Sequence, residues 1–212
     1  MDKYVFGITG ATGAGKSTIS NIFRKLGVFI VDADKIAKFV VSYDENCIAE
    51  LKSHFGCEIF NSDNVLNRKK LAKIVFTDAN KLKLLNKITH KYIKNQIDKE
   101  ISESESEIAA IDGAVIIGSP VMELCDKLVV VTADDKTRKK RIMLRDGIDE
   151  QMAQERINSQ MTNSEYEKYA DFIIINNDDN VGLEECVEQL YIKIKNISKA
   201  EDEAFPSTKK TQ

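Results

Sequence analysis

The segment Gly10-Ala11-Thr12-Gly13-Ala14-Gly15-Lys16-Ser17 has the spacing G-x-x-x-x-G-K-[ST], and the rest of the chain can be read outward from it. Immediately before it, Tyr4-Val5-Phe6-Gly7-Ile8-Thr9 is apolar and partly β-branched, the composition of a buried strand. Immediately after it, Ile19, Ile22, Phe23 and Leu26 recur at helical spacing, and Gly27 stands where a glycine commonly ends a helix. Strand, glycine-rich turn and helix in this order make a cradle for a polyphosphate. Glycines let the backbone wrap the anion, and the helix turns its unpaired N–H groups and positive dipole end toward it. Gly10, Ala11, Thr12, Gly13, Ala14, Gly15, Lys16, Ser17 and Thr18 are therefore the candidate nucleotide-binding residues. Lys16 is expected to reach the β- and γ-phosphates and the Ser17 hydroxyl to ligate Mg²⁺.

Further along, Val28-Phe29-Ile30-Val31 reads as a second strand ending at Asp32-Ala33-Asp34. Strand, helix, strand predicts a parallel pair with a right-handed crossover. From Lys35 to about Ile101 the apolar positions fall at helical spacing, which predicts a helical insertion. Leu84, Ile88, Tyr92, Ile93, Ile97 and Ile101 suit one long helix, and the Ser-Glu alternation from Ser102 to Glu107 suits its solvated end and a connector. Ile108 to Ile111, ending at Asp112, then Leu128 to Thr132 and Phe172 to Ile175 supply three more strands. A basic helix from Asp135 to Arg145 and a polar one from Glu150 to Met161 lie between the last two strands. Val181, Cys186, Val187, Leu190, Ile194 and Ile197 support a final helix, and residues 199–212 read as a frayed tail. Strands this uniformly apolar are expected where helices cover both faces of a sheet. The fold class is α/β: a three-layer, parallel five-stranded sheet forming a P-loop NTPase core, with a helical insertion and a small helical lid.

Composition narrows the class of protein. Of 212 residues, 42% are hydrophobic and 31% charged, which supplies a core and argues against wholesale disorder. Lys plus Arg number 31 against 34 Asp plus Glu, a net charge of −3, which disfavours a general nucleic-acid binder living on phosphate contacts. No apolar run approaches the ~18 residues of a membrane helix, and Met1-Asp2-Lys3 lacks the basic start of a signal peptide. Cys47, Cys57, Cys125 and Cys186 form no C-x-x-C pair, so neither a disulfide framework nor a zinc site is expected. The expectation is a cytoplasmic protein with reduced thiols, partnered by a small molecule rather than by nucleic acid or a membrane.

Several polar residues lie where strands of an open α/β sheet end, the side on which such sheets bind ligands. If the second strand runs to Asp34, Asp32 and Asp34 point the same way, toward the γ-phosphate region. One of them then accepts a hydroxyl proton and the other holds Mg²⁺ through water. The bland alternative is that Asp34 caps a helix beginning at Lys35. Asp112, at another strand end, is a candidate to contact Mg²⁺ through its water, and Asn176 or Asn177 to contact adenine. Arg138, Arg141 and Arg145, at i, i+3 and i+7, share one helical face. That face is either solvated or part of a lid that brings an arginine to the transferring phosphoryl group, where its fork matches phosphate oxygens.

Taken in order, the motifs resemble the dephospho-coenzyme A kinases. The matching stretches are Gly7-Ile8-Thr9-Gly10 leading into the loop, Val31-Asp32-Ala33-Asp34, His54-Phe55-Gly56, Leu66-Asn67-Arg68, Leu85-Asn86-Lys87-Ile88-Thr89-His90, Arg141 with Arg145-Asp146-Gly147, and Arg156-Ile157 with Gln160. The resemblance implies transfer of a phosphoryl group from ATP, with Mg²⁺, to the ribose 3′-hydroxyl of dephospho-coenzyme A, by a monomer or small homo-oligomer. It makes Asp34, Lys16 and Arg141 the catalytic set, Asp32, His90 and Arg68 substrate residues, and Ser17 and Asp112 metal residues. It divides the chain into a nucleotide core (residues 1–33, 106–134 and 166–198), a helical substrate domain (34–105) and a lid (135–165). The chain departs from the family at Lys91, where proline is usual, and at Ala114-Val115-Ile116-Ile117-Gly118, where a Pro-Leu-Leu-Phe-Glu type segment is usual. Two rivals remain at this level. One is another small-molecule kinase on the same core, such as a nucleoside monophosphate kinase. The other is a non-catalytic switch, which would want Asn-Lys-x-Asp for its base; Asn80-Lys81 and Asn86-Lys87 lack the Asp, and the Asp-x-x-Gly at Asp179–Gly182 comes after the fifth strand.

Overall fold

Five apolar runs pair into one sheet. The structure is a computed structural model describing residues 3–61, 65–114, 116–177 and 182–204. The expectations placed on Val115, Asp179, Val181 and residues 205–212 lie outside these. The strands are β1 (Tyr4–Thr9), β2 (Phe29–Asp32), β3 (Ile108–Asp112), β4 (Lys127–Thr132) and β5 (Phe172–Ile175). All pairings are parallel, in the order β2-β3-β1-β4-β5. The expectation that β1 and β2 pair directly is corrected: β3 lies between them. The connection after β1 runs to one side of the sheet and that after β3 to the other. The carboxyl ends of β1 and β3 are therefore a topological switch point, where a crevice opens.

Helices cover both faces. They are α1 (Lys16–Lys25), α2 (Ala33–Tyr43), α3 (Glu45–Phe55), α4 (Arg68–Val75), α5 (Ala79–Glu103), α6 (Asp135–Asp146), α7 (Glu150–Asn158), α8 (Asn163–Glu167) and α9 (Leu183–Ala204). Alternate strand residues go to opposite sides, as the pleat requires. Val5, Ala109, Ile111, Leu128 and Val130 join α2, α3, α4 and α5 in one core, whereas Phe6, Ile8, Ala110, Val129 and Val131 join α1 and α9 in another. Each fully buried Ile, Val or Phe contributes about 1.5–3 kcal/mol. A small separate core of Ile142, Ala153 and Ile157 holds α6 against α7.

Three further expectations are corrected. The edge strand β5 is covered on one face only, leaving Ile173 and Ile175 47% and 66% exposed. The final helix continues past Ser198 to Ala204, because Lys199, Ala200, Glu201 and Glu203 are good or adequate helix formers. The polar helix expected from Glu150 to Met161 ends at Asn158; Thr162 starts α8 through a capping box with Glu165.

Candidate active site

Asp32, and not Asp34, is the helix cap. β2 stops at Asp32, whose side chain accepts from the Lys35 N–H at 2.9 Å, and α2 starts at Ala33. Asp34 therefore sits in the first turn of α2 with its carboxylate free of capping and exposed. The assumption that the strand runs on to Asp34 is corrected for the same reason: the cap turns the chain two residues earlier. Asp32→Ala should destabilise the fold by about 1 kcal/mol, while Asp32→Asn, an equally good cap, should stay within a few tenths of wild type; urea denaturation measures both.

The phosphate loop leaves β1 and enters α1 at Gly15, whose φ of 88° is left-handed. A Cβ there would also lie 2.1 Å from Asn176 Nδ2. Inside the loop, Lys16 Nζ donates to the Gly10 carbonyl at 2.7 Å. Burial pushes the Lys16 ammonium below its ordinary pKa, and Asp112 and Asp34 pull it back up. In the sheet register, Asp112 pairs with Ile8 on one side and Asp32 on the other. Its Oδ2 accepts from Ser20 Oγ at 2.7 Å. Burial raises the Asp112 pKa, and the Ser20 hydrogen bond and Lys16 oppose the rise.

Gly15, Lys16, Asp112 and Asn176 line a cavity of about 770 Å³ with Thr12, Ser17, Thr18, Asp32, Asp34, Arg141 and Arg145. A second cavity of about 370 Å³ lies between α2, α5 and the Ser119–Val121 turn. It is mostly apolar, with Ala37, Val41, Leu71, Leu85, Ile93 and Val121, and its polar groups include Asn86, Thr89 and His90. Asp34 lines both cavities. Burial holds the half-buried His90 below the usual histidine pKa, so its imidazole is neutral at pH 7. Arg68 lines neither of these cavities but a third, of about 390 Å³, which also takes in Lys38 and shares Asp34, Ala37 and Val41 with the second. Lys91, where the resemblance leads one to expect proline, ion-pairs with Glu50 of α3 at 2.9 Å.

The arginine helix is not a uniform solvated face. Arg138 is 2% exposed. Its Nε donates to the Thr12 carbonyl at 3.0 Å, and its Nη1 pairs with Asp135 at 3.0 Å. Arg145 donates to Thr12 Oγ1 at 3.3 Å, and Gln160 Oε1 accepts from the Thr12 N–H at 2.8 Å. Arg141 Nη1 donates to the Asn176 carbonyl at 2.8 Å and approaches the Gly13 carbonyl at 3.4 Å. Asn176 is 2% exposed, and its Nδ2 donates to the Ala14 carbonyl at 2.9 Å. Asn177 Oδ1 accepts from the Asp134 N–H at 2.9 Å. Both asparagines, considered above for adenine, thus bond to protein groups. Sequence reading missed the bracing roles of Arg138 and Asn176, since no local pattern reports a contact across about 130 or 160 residues.

Among the described residues no group of three or more His, Cys, Asp or Glu is set to hold a metal, and no helix is long and apolar enough to cross a membrane.

By sequence, the family model and the curated relatives agree. The family model described as dephospho-CoA kinase matches residues 4–181. A dephospho-CoA kinase of Listeria innocua is 38% identical over 175 residues, covering 81% of this chain and 88% of that protein. Among solved structures, a Thermus thermophilus protein is 26% identical with a TM-score of 0.77, covering 91% of this chain and 98% of that one. The dephospho-CoA kinase of Campylobacter jejuni is 28% identical with a TM-score of 0.56, covering 91% and 97%.

Proposed function

This chain belongs to the dephospho-CoA kinase family, and on that premise we propose how its residues divide the work of moving a phosphoryl group from ATP to the ribose 3′-hydroxyl of dephospho-CoA. One observation carries the reading: Asp34 stands at the junction of a polar, loop-lined cavity and an apolar one. The first suits a nucleoside triphosphate and the second the acceptor, so donor and acceptor meet at a carboxylate.

Asp34 accepts the hydrogen bond of the 3′-hydroxyl, holds its oxygen in line with the γ-phosphate, and takes the proton as the new bond forms. The transition state of such transfers is loose, so alignment matters more than early deprotonation. Lys16 and the N–H groups of the loop hold the β- and γ-phosphates, and Arg141 meets the charge that develops between them. Burial works against the charge of Lys16, and Asp112 and Asp34 beside it favour that charge. His90, neutral at pH 7, lines the acceptor cavity as a hydrogen-bonding group and not as a charge. Asp32 contributes mainly by ending β2 and turning α2 so that Asp34 faces both cavities, and Arg68 with Lys38 flanks the outer part of the acceptor path.

The residues fit Mg²⁺. That ion commonly takes one or two protein oxygens and completes its shell with phosphate and water, so a dense ligand cluster is not required. Ser17 and Asp112 would hold it, where it supplies charge neutralisation on the phosphates. In the division into core (1–33, 106–134, 166–198), substrate domain (34–105) and lid (135–165), the lid is supported by the separate small core of α6 and α7, whereas α2 to α5 share a core with the sheet.

The test is an acceptor screen with ATP and Mg²⁺. Dephospho-CoA is expected to be phosphorylated in preference to AMP, CMP and UMP, and a preference for a monophosphate would overturn the assignment. Within the lid, Arg141→Ala should lower turnover and weaken ATP binding. Lys139→Ala, which removes only the ion-pair partner of the exposed Glu150, should change neither by more than about twofold. Equal small effects from both variants would remove Arg141 from the mechanism.

A further inference from the structure

We propose that Arg138 is a positioning residue of the nucleotide site: it holds the Thr12 carbonyl outward and thereby aims the Gly13 N–H into the cavity. The inference rests on the reading of that cavity as the ATP site and adds to it a residue that does not line the cavity.

No peptide bond among the described residues is cis. In a trans peptide the C=O of one residue and the N–H of the next point in opposite directions. Arg138 Nε holds the Thr12 carbonyl at 3.0 Å from a position that is 2% exposed. Thr12 and Gly13 line the cavity, and Arg138 does not. The Gly13 N–H must therefore point away from Arg138, toward the phosphates. The contact is close along the backbone too, since a Cβ on Gly13 would come within 2.8 Å of the Arg138 carbonyl oxygen. The Thr12 N–H is already donated to Gln160 and its hydroxyl accepts from Arg145. With all three polar groups of Thr12 held by protein, the peptide between Thr12 and Gly13 cannot flip without breaking the Arg138 bond.

The arrangement is costly, which argues that it is used. Arg138 Nη2 is buried without a hydrogen-bond partner among the described residues, and the one carboxylate paired with the guanidinium, Asp135, is 64% exposed. A buried cation with an orphan donor is a poor way to stabilise a fold. What the side chain supplies is a donor at its ε position.

That atom allows a selective test. The Nε2 of glutamine stands the same number of bonds from Cα as the Nε of arginine. Arg138→Gln therefore keeps the donor and discards the charge and the orphan Nη2, while Arg138→Met keeps the length and discards the donor. Nucleotide affinity is measured by calorimetry with ADP and ATP, kinetics with both substrates, and folding by circular dichroism and melting temperature. R138Q is expected to bind ATP within about twofold of wild type, and R138M about tenfold more weakly, the effect of one misdirected hydrogen bond. The KM for dephospho-CoA should be unchanged in both. In ¹⁵N-labelled wild-type protein, ADP should move the Gly13 amide proton downfield and leave the Thr12 amide nearly still. This measurement stands even if R138M does not fold.

The role of Arg138 is overturned if R138Q binds ATP as weakly as a folded R138M, which would make the charge the active feature. It is equally overturned if a folded R138M binds like wild type, or if the Gly13 amide ignores ADP in a protein that binds it. A wild-type protein that binds neither ADP nor ATP would instead overturn the reading of the cavity.

Discussion

Asp34→Asn is expected to lower turnover by about a hundredfold or more, the usual scale of a lost general base, with melting temperature and ATP affinity close to wild type. The stability half of the prediction follows from local structure. Asp32 makes the capping bond of α2, and Asp34 makes none, so removing its charge forfeits a favourable interaction with the helix dipole, a few tenths of a kcal/mol at an exposed site, and its attraction for Lys16. The kinetic half follows from position. Asp34 is shared by the two cavities, and Asn keeps its size while losing its ability to take a proton. Steady-state kinetics with both substrates and thermal denaturation decide the matter. Near-normal turnover in Asp34→Asn would remove it from the chemistry. A large kinetic loss in Asp32→Asn without one in Asp34→Asn would exchange the two roles, because Asn at position 32 still caps the helix.

Lys16→Ala is expected to be the most damaging single change in the phosphate loop, with turnover down by at least about 10²–10³, comparable to removing one preorganised charge-stabilising donor. Its fold should survive. The ammonium is substantially buried against the Gly10 carbonyl, so its removal costs one hydrogen bond but also releases the desolvation of a cation. A second effect has a definite sign. Lys16 lowers the pKa of Asp112, which burial already raises. In the metal-free protein Asp112 should then titrate at still higher pH, which NMR of its side-chain carboxyl carbon measures. A folded Lys16→Ala protein with near-normal turnover would end the assignment of the loop, and an Asp112 midpoint that does not move upward would show that Lys16 does not act on it.

Much of this was legible from the residues alone, for reasons that can be given element by element. β1, the loop and α1 were readable because glycine spacing, apolar alternation and helical period are all local. β4 and β5 were readable as short apolar runs, and α5 as one long helix because its apolar residues recur at helical spacing through Ile101. The Asp32–Asp34 pair was legible as a site but not as two different jobs. Which aspartate caps depends on where β2 stops, and that is set by its pairing with β3 through Asp32 and Asp112. Likewise the bare face of β5 depends on what packs across it, which composition does not report.

The strand-loop-helix cradle, the parallel α/β class, the helical insertion and the residue types that do phosphoryl chemistry could be read from the residues, since each is encoded within a few turns of chain. The strand order, the junction of two cavities at Asp34, and the difference between Arg138 and Arg141 emerge from packing. Those two arginines lie three residues apart on one helix and look alike in sequence. One is buried against the outside of the loop, and the other lines the cavity. Their difference arises because β4 places α6 beside a loop that follows β1, a contact between segments more than a hundred residues apart. A side chain's chemistry is local, but its burial and its partner are properties of the packed chain.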